Sequence, residues 1–169
     1  MNRMAQVSLS VFRCLVGIAC WNVASMISAG EPIRVAVFEG EGVGPSVEDL
    51  VSALKSRDGH GLTLQRISAD EIRAGQLSDM NVLVHPGGSG SRQGKTLGEE
   101  GRAVVKRFIK DGGGFLGVCG GCYLATNDDS WSQNLIDAKC LDRLHWTRGS
   151  GSVMVKLSPR CRDVLGRSP

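Results

Sequence analysis

Strands and helices alternate along this chain, and that order predicts an α/β protein with a parallel sheet covered on both faces. Two observations carry the expectation. Short apolar runs end abruptly in glycine, Pro-Gly or Cys-Gly-Gly: "IRVAVFEG" (Ile33–Gly40), "MNVLVHPGG" (Met80–Gly88) and "FLGV" before Cys119. Such runs are the pattern of strands buried on both sides. Between them lie segments whose apolar residues recur at helical spacing with charges between.

Taken in order, Ile33–Gly40 is the first expected strand. Pro45–Arg57 carries Val47, Leu50, Val51 and Leu54 and predicts a helix. "LTLQRI" (Leu62–Ile67) alternates like a strand, and Ser68–Arg73 begins like a capped short helix. Met80–Gly88 is the third strand. Leu97–Lys110 places Val104, Val105, Phe108 and Ile109 on one helical face, and "DGGG" stops it. Phe115–Val118 is the fourth strand, and Gly120–Thr126 starts a helix. Beyond the polar stretch Asn127–Gln133, short strands are expected over Asn134–Trp146 and Ser152–Leu157, then a last helix over Ser158–Leu165. No repeat or linker divides residues 30–169, which are expected to form a single domain.

The first 29 residues differ. Arg3 and Arg13 bracket a mixed start, and Cys14–Ile27 is free of charge and followed by small residues up to Ala29. This reads as a secretory signal peptide, with an apolar run short of the ~20 residues a membrane span needs. The expected location is secreted or periplasmic, with no stable membrane insertion after cleavage; an uncleaved anchor is the alternative. Cleavage near Ala29 leaves four cysteines, Cys119, Cys122, Cys140 and Cys161, and an exported context permits a Cys140–Cys161 disulfide.

A net charge of +3, with cations scattered among acids, gives no basic stripe and argues against nucleic acid as a partner. No cofactor or metal is expected. A small molecule is the expected partner, with a homodimer left open. "GSGSRQGK" (Gly88–Lys95) lacks the phosphate-loop spacing before Lys95-Thr96, so nucleotide binding is not expected there. Its small polar residues suggest a mobile rim instead.

The chemistry concentrates at "GVCGG". Gly117-Val118-Cys119-Gly120-Gly121 has the form of a nucleophile elbow with cysteine in the reacting position. In a parallel sheet, sites gather at the C-terminal strand ends. Glu39, the His85-Pro86-Gly87-Gly88 turn and Cys119 all fall at that edge. The expected oxyanion donors are the Gly120 N–H and an N–H in the Gly87, Gly88, Ser89 loop. His85 is a candidate base for the thiol and Glu39 a candidate acid facing it. The plainer readings are a loop histidine satisfied by backbone and a solvated glutamate. His145 in "RLHW" is a further candidate base, and His60 reads as a turn residue.

"HPGG", a helix, then "GGGFLGVCGGCYLA" resembles the class I glutamine amidotransferase-like superfamily, and within it the biotin–protein ligase N-terminal-domain family. The resemblance spans roughly Ile33 to Leu157 and includes "DRLHWTRGSGSVMVKL" (Asp142–Leu157). It implies a flavodoxin-like three-layer sandwich, an elbow on Gly117, Cys119 and Gly121, and an oxyanion-side loop on Pro86, Gly87 and Gly88. The superfamily's working amidotransferases carry a His-x-Glu downstream of the cysteine, and none follows Cys119 here. The domain is therefore expected to be truncated or to lack the usual base, and no biotin transfer is implied.

Three function classes follow. The first is an exported cysteine-nucleophile amidase or hydrolase working through Cys119 on a small amide or ester. The second is a non-catalytic binding or scaffold module that keeps the fold without the relay. The third is a dithiol redox protein using Cys119 and Cys122, a C-x-x-C at a helix start. A four-thiolate zinc site is a weaker option, because Cys140 and Cys161 are widely spaced.

Overall fold

The computed structural model describes residues 31–56 and 61–141, together with 152, 154 and 156–165. The expected signal segment, His60 and His145 lie outside the described residues. The elements run β1 (Ile33–Phe38), α1 (Val47–Lys55), β2 (Leu62–Ile67), α2 (Ala69–Arg73), β3 (Val82–His85), α3 (Gly90–Lys110), β4 (Gly114–Gly117), α4 (Gly120–Ala125) and α5 (Pro159–Leu165). A short 3-10 helix, Gln76–Asp79, follows α2. The four strands form one parallel sheet in the order β2-β1-β3-β4.

The alternation within β1 explains the layers. Successive side chains point to opposite faces of a strand. Val35 and Val37 join Val84 under α1, packing on Val47 and Val51. Ala36 and Phe38 point the other way and meet Ile67, Ile72, Leu83, Leu97 and Val105, the core under α2 and α3. Both faces are therefore apolar and both are covered, as the uninterrupted strand runs require. Each large apolar side chain buried here contributes on the order of 1.5–3 kcal/mol.

Local signals set the helix starts. Ser68 caps α2 reciprocally: its side chain accepts from Glu71 N–H, and the Glu71 carboxylate accepts from Ser68 N–H at 2.7 Å. The Ser68 N–H, and after it the Ser68 hydroxyl at 2.8 Å, donate to the Glu71 carboxylate and hold it below its ordinary range. Helix α3 starts earlier than its apolar face predicts. Ser89 caps it by accepting from Arg92 N–H at 3.4 Å, and Gly98 (φ 67°, ψ −178°) interrupts it at the start of the predicted stretch. The expected mobile rim over Gly88–Lys95 is thus largely a helical turn.

The expected strand over Asn134–Trp146 does not form at its described residues. Its backbone bonds go elsewhere. Asn134 N–H donates to Thr126, Leu135 and Ile136 N–H donate to Ala125, and Cys140 N–H donates to the Asp128 carboxylate at 2.9 Å. Those groups wrap the segment around the end of α4, so none is left for a ladder. The described residues of Ser152–Leu157 are likewise irregular. Among the described residues no helix is long and apolar enough to cross a membrane.

Candidate active site

Cys119 stands between β4 and α4 with φ 51° and ψ −113°. A β-carbon-bearing residue occupies this region only at a cost of about 1–3 kcal/mol, so the surrounding contacts must impose it. They are visible. Val118 N–H donates to the His85 carbonyl at 3.0 Å, which carries the β3–β4 ladder to the residue before the turn. Cys122 N–H donates back to the Cys119 carbonyl at 2.9 Å, which starts the helix at once. The chain turns this sharply because its neighbours lack side chains. A Cβ on Gly121 would overlap the His85 carbonyl, and one on Gly120 would overlap the Gly88 carbonyl. The glycines of the elbow are thus explained by backbone touching backbone.

The same contacts bring the second loop to the thiol. The Cβ position of Gly87 lies 3.5 Å from the Cys119 Cβ. Gly88, at φ 125°, sits against Gly42 and Gly44, where Gly44 N–H donates to the Gly87 carbonyl at 2.9 Å. Ser89 N–H is already committed to the Gly42 carbonyl at 2.7 Å. Among the described residues no hydrogen bond engages the N–H of Gly88 or of Gly120. Of the expected donors only Ser89 is taken; Gly87, like Gly88 and Gly120, carries no N–H hydrogen bond among the described residues.

Cys119 is exposed and opens on a cavity of about 820 Å³. Gly88–Ser91 form one wall and Cys119, Gly120, Cys122 and Tyr123 another; Asp129, Trp131 and Cys140 close it. Trp131 and Tyr123 make much of the lining apolar. The Tyr123 phenol is held above its ordinary pKa, first by charge on the adjacent Cys140, then by desolvation. The Cys122 thiol donates to the Gly117 carbonyl at 2.8 Å, so its proton is engaged within the elbow.

Cys140 therefore lies on the Cys119 cavity. None of the four described cysteines is in a disulfide, so the bridge allowed between Cys140 and Cys161 is not formed. Among the described residues no group of three or more His, Cys, Asp or Glu is placed to hold a metal, so the four-thiolate arrangement is not assembled there.

His85 and Glu39 do not line the cavity. His85 is fully buried at the end of β3, between Phe38 (ring centroids 4.6 Å apart) and Phe115 (5.6 Å). Burial pushes its pKa down to about 4, against the opposing effect of the Gln93 hydrogen bond. Its Nδ1 meets Gln93 Oε1 at 3.0 Å, and its Nε2 has no partner. Leu83 and His85 share a strand face, so the period of the strand turns the imidazole into the core beneath the elbow. Glu39 is exposed and pairs with Arg66 at 3.3 Å; Arg66 also grips Glu48 at 2.7 Å. That pairing, with Glu48 the larger contributor, raises the Arg66 pKa.

Sequence reasoning missed Gln93, Trp131 and Tyr123. A signal for Gln93 existed: Gln93, Leu97, Gly101 and Val105 are all buried and recur every four residues along α3. Trp131 and Tyr123 had no local signal, because their roles depend on how the Asn127–Gln133 turn folds back on α4.

The sheet order, with the strand-end cysteine and the glycine turn at its C-terminal edge, is that of the flavodoxin-like, class I glutamine amidotransferase-like fold. Within that class the chain belongs to the family described as biotin-protein ligase, N terminal, whose model matches residues 33–140, more than half of the sequence. Among solved structures it is similar to a peptidase E-like protein from Listeria monocytogenes EGD-e. Identity is 19% and the TM-score 0.53, covering 65% of this chain and 66% of that one, a likeness of fold. No curated protein matches the chain.

Proposed function

We propose that the chain is a cysteine-nucleophile acyl hydrolase acting on a small amide or ester through Cys119. The observation that carries this reading is the forced backbone of Cys119 (φ 51°, ψ −113°), which presents an exposed thiol to a cavity lined by Gly88 and Gly120, whose N–H groups carry no hydrogen bond among the described residues. The Cys119 thiolate, its proton lost to solvent, attacks the carbonyl carbon, and an S–C bond forms. The carbonyl oxygen takes the negative charge and is met by the two N–H donors. The C–N or C–O bond then breaks, and the leaving group takes a proton from water. A second water attacks the thioester, releasing the acid and restoring the thiol. Oxyanion stabilisation of this kind contributes about 3–4 kcal/mol for a single donor in other hydrolases.

The test is acetylation by p-nitrophenyl acetate, with the adduct located by peptide mass spectrometry. A burst of p-nitrophenolate with acetyl on the peptide carrying Cys119, abolished in Cys119→Ala, is expected. Acetyl found only on Cys122, Cys140 or Cys161 overturns the reading.

A second reading, a non-catalytic binding module, is favoured by the burial of His85 away from the cavity. Under it the thiol is never acylated and the cavity simply holds a ligand against Trp131 and Tyr123. Dithiol exchange is disfavoured by the Cys122 bond to Gly117. Export rests on the first 29 residues alone, and N-terminal sequencing of the mature protein tests it.

A further inference from the structure

We propose that Gln93 is a positioning residue, whose buried amide fixes the Pro86-Gly87-Gly88 turn in the orientation that leaves the Gly88 N–H facing the Cys119 cavity. The inference rests on the acyl-transfer reading and extends it to a residue outside the cavity wall.

The turn itself has little preference. Gly87 and Gly88 are adjacent glycines, and Gly88 sits at φ 125°, where almost only glycine is at ease. A rotation of the Gly87–Gly88 peptide plane would carry the Gly88 N–H away from Cys119; the Gly44 N–H bond to the Gly87 carbonyl at 2.9 Å opposes it, and no side chain in Gly87-Gly88 adds to that bond. Gln93 adds a side-chain brace from α3. It is fully buried, and its Nε2 donates to the Pro86 carbonyl at 3.1 Å and to the Gly42 carbonyl at 3.4 Å. Gly42 is the residue whose carbonyl also accepts from Ser89 N–H at 2.7 Å. One amide group thus grips both sides of the turn, ahead of Gly87 and across from Ser89. Rotating the turn would strand buried polar groups, each costing about 1–3 kcal/mol.

The amide needs its own reference, and His85 provides it. With Nε2 of Gln93 committed to two carbonyls, its Oε1 must accept, so His85 carries its proton on Nδ1. The imidazole is clamped between Phe38 and Phe115 and cannot turn. His85 also accepts Val118 N–H through its carbonyl. The residue that orients Gln93 is therefore the one that sets the elbow, and the two donor loops share one anchor.

The experiment compares two reactions of Cys119 in the full chain and in Gln93→Met, which keeps the length and volume of the side chain. Acetylation by p-nitrophenyl acetate forms an S–C bond and expels p-nitrophenolate through an oxyanion. Alkylation by iodoacetamide expels iodide and needs no oxyanion donor. We expect acetylation to fall roughly 10- to 100-fold while alkylation stays within about two-fold. Acetylation that is unchanged overturns the inference, and so does a parallel loss of both reactions, which would mean that the elbow itself had collapsed. Absence of acetylation in the unaltered chain overturns the acyl-transfer reading and this inference with it. Where Gln93→Met does not fold, the nitrogen-15 NMR spectrum of His85 in the unaltered chain decides. Protonation at Nδ1 is expected, and a proton on Nε2 overturns the inference, because Gln93 would then turn its oxygen toward the carbonyls.

Discussion

Val118 donates its N–H to the His85 carbonyl at 3.0 Å, tying the residue before Cys119 to the residue that opens the Pro86-Gly87-Gly88 turn. Through that one bond the two loops of the candidate site leave the sheet side by side. The Gly120 and Gly88 backbones can then meet, and both residues line one cavity.

The elbow should not tolerate a methyl group. Gly121→Ala places a Cβ into the His85 carbonyl, and neither partner is a side chain that can swing aside. A loss of about 1–3 kcal/mol in urea unfolding is expected, with slower alkylation of Cys119 as the turn opens. Wild-type stability in this variant would mean that the turn is looser than its contacts imply.

The strain at Cys119 should be measurable. Glycine accepts φ 51° without a Cβ penalty, whereas alanine does not. Cys119→Gly is expected to be more stable than Cys119→Ala by about 1 kcal/mol, after allowance for the extra freedom of glycine in the unfolded chain. Neither variant should be acetylated. Thermal melts of the two proteins, compared with each other, check the difference.

Acid should weaken the fold through His85. Its folded pKa, about 4, lies below the ordinary value of 6.5. Above pH 6.5 both states are neutral and the group is indifferent. As the pH falls through that window, the unfolded chain takes up a proton that the folded chain refuses. The loss grows to about 3 kcal/mol near pH 4. The groups packed around the ring are Phe38, Phe115 and Gln93, none of which titrates. Urea unfolding at pH 7 and pH 4.5 should therefore show a smaller drop in His85→Leu than in the unaltered chain. Equal drops would place the acid sensitivity elsewhere.

Glu39 should be silent in the chemistry. Its carboxylate is exposed, paired with Arg66 and absent from the cavity wall. Glu39→Gln is expected to leave acetylation of Cys119 within about two-fold, since exposed pairs of this kind contribute little. A loss of ten-fold or more, on the order of 1.4 kcal/mol, would return Glu39 to the site.

The sequence was sufficient for the order of β1 to α4, because each element's burial pattern is local. Val35 and Val37 against Ala36 and Phe38 already describe a strand covered on both sides. The glycines around Cys119 likewise announced a turn that only small residues allow. The stretch after Thr126 was misread for the opposite reason. Leu135 and Ile136 are apolar enough for a strand, but their N–H groups are taken by Ala125, a partner that no local pattern reveals.

What the sequence determined by itself is the α/β frame and the cysteine at a strand-end turn, since periodicity and glycine spacing are written in consecutive residues. Which side chains accompany that cysteine was decided only in three dimensions. Strand parity sends His85 inward to the rings of Phe38 and Phe115, Glu39 lies exposed at the surface beside Arg66, and the wrapping of residues 134–140 around α4 brings Cys140 to the cavity. Each of these outcomes depends on a partner distant in sequence, and such partners are chosen by packing and hydrogen-bond satisfaction rather than by local pattern.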